Sequence, residues 1–129
     1  MGNDAAMDDR TIARGVAWGR VVFGLLMIFA PTRVLSRLAK GAELDGPLLW
    51  MCRAFGIRDL VLGAGAVIEM SDPEPDGRWV TAGAVSDTCD IAAAVVWRDE
   101  LGAAGVASTL ALAVPAAALG WKASAAFRP

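Results

Sequence analysis

The stretch "CRAFGIRDLVLGAGAV", residues 52 to 67, decides how this chain folds. Its second half is apolar enough for the interior of a bilayer, while Arg53, Arg58 and Asp59 interrupt the first half. A lone charge at the centre of a membrane costs about 2.5–3.5 kcal/mol even on a lenient insertion scale. Arg58 and Asp59 are adjacent, about 100° apart around a helix, and so are poorly placed to pair with each other. Both need partners from other segments.

Three more apolar blocks supply candidates. Block one, "GVAWGRVVFGLLMIFA", runs from Gly15 to Ala30 and is closed by Pro31, which a helix interior tolerates poorly. Block two runs from Pro47, suited to a first helical turn, to about Ile68. Block three is "RWVTAGAVSDTCDIAAAVVW", Arg78 to Trp97, and block four, "LGAAGVASTLALAVPAAALGW", runs uncharged from Leu101 to Trp121. A spanning helix needs about 20 mostly apolar residues, which block four supplies cleanly. Trp121 followed by Lys122, and Trp79 and Trp97 around block three, resemble interfacial markers.

Four such blocks with short joints predict an all-α fold, a four-helix transmembrane bundle that passes several times through the cell membrane. Residues 1–14 form a polar N-terminal tail, 15–122 the membrane domain and 123–129 a short C-terminal tail. A soluble bundle of unusually apolar helices stays open, because Ala and Gly make block four only weakly hydrophobic. Strands are not expected, since no period-2 alternation recurs.

Composition narrows the function classes. The chain is 56% hydrophobic, has a net charge of -2 and contains neither histidine nor tyrosine. Without a basic stripe or interleaved aromatics, nucleic-acid binding is not expected. No cleavage site follows Ala30 and "MGNDAA" lacks a myristoylation hydroxyl, so block one reads as a retained helix. Cys52 and Cys89 make no disulfide framework and read as small buried hydrophobes. Gly15 with Gly19, and Ala103 with Ala107 and Ala111, are spaced for close helix packing, with alanine and glycine richness as the alternative explanation. Pro115 is expected to bend block four. Basic residues favour neither side strongly, so orientation stays open.

The charges inside the blocks fall at similar depths: Arg20 in block one, Arg53, Arg58 and Asp59 in block two, Asp87 and Asp90 in block three. Three arginines against three aspartates cancel formally. Asp87 and Asp90 are three apart and share a helix face. The simplest pairing sets Arg58 against Asp87 and Asp90, and Arg20 or Arg53 against Asp59; Glu69 falls at the interface. Two readings compete: a structural lock fixing helix register, and a site, the default for intramembrane ionisable groups. Six charges exceed what register alone needs, which favours the site. Repulsion between Asp87 and Asp90 would leave one of them protonated and able to act as an acid.

Other chemistry is thin. Without histidine there is no Ser-His-Asp or Cys-His arrangement. The Asp-x-x-Asp of "SDTCD" hints at magnesium–diphosphate binding, but the nearby arginines compete for it. Cys89 lacks a base to make it a nucleophile, and "GAGAV" lacks the spacing of a phosphate loop. No metal or cofactor is expected.

The pattern "RAFGIRDLVLG" followed by "D..D", that is Arg53, Gly56, Arg58, Asp59, Gly63, Asp87 and Asp90, resembles a family of small four-span actinobacterial membrane proteins of DoxX-like architecture. The resemblance covers the four blocks and implies four spans; it brings no reaction with it.

The expected function is a membrane protein that binds a small lipophilic molecule or converts it by acid-assisted isomerisation, cyclisation or hydrolysis. Asp87, Asp90, Arg58 and Asp59 carry the chemistry, with Arg58 stabilising negative charge, while Arg20, Arg53 and Trp18 contact the molecule. The alternatives are a noncatalytic subunit whose ion pairs lock the fold or bind a membrane partner chain, and a small proton-coupled exporter built as a homo-oligomer with an aspartate as its proton site.

Overall fold

A computed structural model describes residues 2–38 and 43–127, with side chains described from residue 9. Its elements are α1 (Gly2–Phe29), α2 (Pro31–Leu38), α3 (Gly46–Glu69), α4 (Arg78–Val96), α5 (Arg98–Ser124) and a closing 3-10 turn, Ala125–Phe127. No strand occurs among the described residues, so the chain is all-α. Helix α1 starts well before the expected boundary at residue 15, because no proline and no glycine beyond Gly2 interrupts its polar first turns. The chain breaks at Ala30, and α2 begins on Pro31. Asp45 caps α3 by accepting a 2.8 Å hydrogen bond from the Leu48 amide, with Pro47 in the first turn.

Helices α1 and α3 form one closely packed pair, α4 and α5 the other. The buried positions of α1 are Ala13, Ala17, Arg20, Gly24 and Met27, and those of α3 are Cys52, Gly56, Asp59, Gly63 and Ala66. Both sets alternate steps of four and three, the spacing of a heptad seam. The seams are lined by small residues, so the backbones nearly touch. A Cβ added at Gly56 would lie 2.8 Å from the Gly24 carbonyl oxygen, and one at Gly63 2.7 Å from that of Ala17. Antiparallel packing follows, since the later residue of one helix meets the earlier residue of the other.

The expected small-residue ridges lie elsewhere. Gly15 and Gly19 fall off the α1 seam with nothing near them, and Ala103, Ala107 and Ala111 are exposed. Close approach between α4 and α5 comes from Gly120 against Ala84. The break in α5 falls at Gly102, whose φ of 67° lies in the left-handed region that glycine alone enters cheaply, and the helix continues through Pro115. Ala84 and Gly120 lie equally far along the chain from Gly102, so this glycine is the effective corner of the second pair. The expected boundary at residue 122 is overrun: Ala123 and Ser124 are buried, and Phe127 lies against Gly77. Cys52 is buried as expected, but Cys89 lies off the α4 seam and is exposed; both are free thiols.

Three helical stretches, Asp9–Phe29, Arg78–Val96 and Arg98–Phe127, are long and apolar enough to cross a membrane. Helix α3 has the length, but Arg53, Arg58 and Asp59 keep it from joining them.

Candidate functional site: an Arg–Asp ladder across three helices

The seams carry two charges into the interior. Arg20 sits on the α1 seam between Ala17 and Gly24, and Asp59 on the α3 seam between Gly56 and Gly63. Gly63 leaves room for the Arg20 stem, its would-be Cβ lying 2.9 Å from Arg20 Cβ. Along α4, Gly83 and Asp87 occupy the matching buried face. Arg20 Nη1 donates to Asp59 Oδ1 at 3.1 Å, while Nη2 donates to the Gly83 carbonyl at 3.0 Å and pairs with Asp87 Oδ2. One arginine from α1 thus joins α3 to α4.

Arg58 builds the second rung. Its Nη1 and Nη2 donate to the two oxygens of Asp90 at 2.8 Å each, a bidentate geometry that fixes orientation as well as distance. Arg58 and Asp90 lie at matching depths from the loop joining α3 to α4, about 17 Å along each helix at 1.5 Å per residue. Arg58 Nη2 also donates to Asp59 Oδ1 at 3.2 Å, so Asp59 links the rungs. Arg58 and Asp59 are expected to pair poorly with each other, and this single 3.2 Å contact is the weakest of the bonds that Arg58 makes, its bidentate partner coming from α4. Their Cα–Cβ bonds do diverge, but the long arginine stem carries the guanidinium around the helix to reach its neighbour.

The ladder is graded in exposure. The Arg20 and Asp87 side chains are 9% and 6% exposed, and those of Arg58 and Asp90 31% and 24%. Its Arg20 end is closed and its Arg58 end is partly exposed. The Phe55 ring lies 5.1 Å from the guanidinium carbon of Arg58, within cation–π range. Arg58 Nε is buried and has no hydrogen-bond partner among the described residues, an uncommon state for a charged donor.

The remaining expected members lie outside. Arg53 is one residue off the seam, is exposed, and donates from Nε to the Ile28 carbonyl at 3.2 Å. Trp18 is likewise off the α1 seam and 57% exposed. Arg53 and Trp18 therefore do not reach the other five charges. With Arg53 excluded, two guanidinium groups face three carboxylates, and the expected cancellation gives way to one formal negative charge in excess. Asp87 and Asp90 do not face each other as a carboxylate pair, because each is engaged by a different arginine.

Two groups missing from the expected site support it. Gly83 supplies a backbone acceptor to Arg20, and Thr88 Oγ1 donates to the Ala84 carbonyl at 2.8 Å while accepting from Trp121 Nε1 at 3.0 Å. The small-residue heptads are the sequence signal that would have found Gly83. Glu69 holds a junction: Oε1 accepts from the Arg78 amide at 2.9 Å and Oε2 from the Trp79 amide at 3.1 Å, capping α4 from the end of α3. Clefts of about 280 and 150 Å³ open beside the loop between α3 and α4, and none of the ladder residues lines either.

Comparison with protein-family models, curated proteins and solved structures found no match. The ladder's own geometry therefore carries the functional reading.

Proposed function

We propose that this chain is an integral membrane protein in which α1, α3, α4 and α5 cross the bilayer, and that the open end of its Arg–Asp ladder holds the polar head of a small lipophilic molecule. The membrane part is supported by the distribution of side-chain size. The interior is mostly alanine and glycine, while Phe29, Trp50, Ile57 and Ile68 are more than half exposed. Water-soluble folds bury their large apolar side chains. Membrane helices meet through small residues and turn large ones toward lipid. The two charges that distinguish α3 at mid-depth, Arg58 and Asp59, are both paired across the bundle, which removes the main cost of inserting it.

The binding part rests on one observation, the buried and unpartnered Nε of Arg58 beside a partly open guanidinium. A small rotation of the Arg58 side chain would turn that donor toward a carbonyl or hydroxyl oxygen at the exposed side of the guanidinium. Phe55, on the same face of α3, offers an apolar wall for the adjoining part of the molecule. The excess negative charge favours a neutral or cationic occupant over an anionic one. Binding is better supported than acid catalysis, because arginines engage both Asp87 and Asp90. Where a reaction follows, Asp90 is the better-placed acid, lying at the open end with Arg58.

The second reading, a noncatalytic subunit locked by its ion pairs, is favoured at the closed end. There Arg20, Asp59 and Asp87 satisfy one another with little exposure.

The test is a comparison of wild-type protein with Arg58→Met and Asp90→Asn, purified in mild detergent and extracted for mass spectrometry. Wild-type protein should carry a lipophilic molecule enriched over bulk lipid, and both variants should lose it while keeping their helical content. Loss of stability without any enriched molecule in the wild type would reduce the ladder to a lock. A chain that stays in aqueous solution without detergent would overturn the membrane reading itself.

A further inference from the structure

Helix α2 is the one described α-helix too short to span, and its two faces differ sharply. Arg33 and Arg37 are four apart on one exposed face; Val34 and Leu35 are half-buried, and Pro31 is buried. Among the described residues no carboxylate lies within 4 Å of either arginine, as is also true of Arg10, Arg14 and Arg53; what sets Arg33 and Arg37 apart is that they share a short helix with a half-buried apolar stripe. The helix follows α1 after a break at Ala30, so it starts where a candidate span ends. Phe29 and Trp50, 79% and 70% exposed, occupy the same end of the bundle, where aromatic side chains commonly sit at headgroup level.

We infer that α2 lies in the plane of the membrane interface and that Arg33 and Arg37 bind the phosphates of anionic phospholipids. This rests on the membrane reading above. A helix with an apolar stripe and a basic face settles at the boundary between headgroups and acyl chains. There the phosphodiester supplies the charge complement that the protein withholds from these two guanidinium groups. Guanidinium also matches phosphate oxygens in a bidentate fork, which suits arginine better than lysine at this position. Each basic residue near an anionic surface strengthens attachment about fivefold. Two together give selectivity of about 25-fold for an anionic over a zwitterionic lipid.

The experiment uses the full chain in micelles holding equal amounts of phosphatidylglycerol and phosphatidylcholine, with the retained lipid counted by native mass spectrometry. Wild-type protein should retain phosphatidylglycerol in about 25-fold preference, and Arg33→Gln/Arg37→Gln should fall to near parity. Arg10→Gln/Arg14→Gln, at the opposite end of the bundle, should keep the preference. Equal retention by wild type, an unchanged preference in Arg33→Gln/Arg37→Gln, or its loss in both double variants would overturn the assignment. Competition by millimolar inorganic phosphate would instead mark a free-anion site and refute the lipid. A chain that inserts into micelles but shows no preference removes this inference alone; one that never associates with them removes the membrane reading too.

Discussion

Replacing Arg20 by methionine tests the ladder at its closed end. The unbranched side chain keeps much of the volume and removes the charge. Arg20 is the sole described partner of Asp87, whereas Asp59 keeps Arg58 at 3.2 Å. The cost therefore concentrates on one orphaned carboxylate and on the Gly83 carbonyl. With both side chains less than a tenth exposed, solvent offers little relief. Removing one partner of such a pair costs about 3–5 kcal/mol. Asp87→Asn leaves Arg20 with Asp59 and Gly83, so its cost is that of a weakened hydrogen bond to a charged group, about 1.5–3 kcal/mol. In the double variant the orphaned charge is gone. It should be more stable than Arg20→Met alone, although it carries an additional substitution. Reversible unfolding in mixed micelles of a mild detergent and dodecyl sulfate, followed by far-ultraviolet circular dichroism, measures all three. If the two single costs add to within about 0.5 kcal/mol, the groups are uncoupled and the ladder is refuted.

Gly56→Ala should destabilise by about 1–3 kcal/mol through overpacking, because its methyl would press on the Gly24 carbonyl and Met27; Gly15→Ala, with open space around it, should be neutral or stabilise by up to about 1 kcal/mol through helix propensity, and the same unfolding assay reads both. Glu69→Ala removes the remote cap of α4 and should cost about 0.5–2 kcal/mol, with faster hydrogen exchange at the Arg78 and Trp79 amides as its local signature. Thr88→Val removes the hydrogen bond from the exposed Trp121 indole N–H and should cost about 0.5–1.5 kcal/mol, whereas Trp121→Phe with Thr88→Val should cost less than the sum of the two single changes.

How much of this was legible depended on which periodicity was read. Segment ends were marked by residues with strong local rules: Pro31, Pro47 and the Pro-rich loop after Glu69 all delimit helices close to where the sequence places them. The pairing of Arg58 with Asp90 and of Arg20 with Asp59 was accessible from depth along the helices alone. Rotation fixes which charges of one helix share a face, but not which face of α1 or α3 turns inward. The apolar residues of α1 and α3 surround the helix almost evenly, so hydrophobicity gives no phase. Phase is written in size instead. Ala13, Ala17, Gly24 and Met27 place Arg20 on the seam, while Cys52, Gly56, Gly63 and Ala66 place Asp59 there and put Arg53 one residue off it. The same rule puts Trp18, Gly15 and Gly19 outside.

The off-seam position of Arg53 changes the chemistry of the interior. A balanced set of six charges could be self-sufficient, with a lock as its whole purpose. Five charges, two positive and three negative, leave a carboxylate that needs a proton, a cation or a polar occupant to offset it, since an uncompensated charge in a low-dielectric interior is costly. At the open end, Arg58 Nε lacks an acceptor although the guanidinium is otherwise well paired. A purely structural ladder would gain stability by closing that end. The partial exposure of Arg58 and Asp90, beside Phe55, is the feature that a lock does not require and a ligand would use.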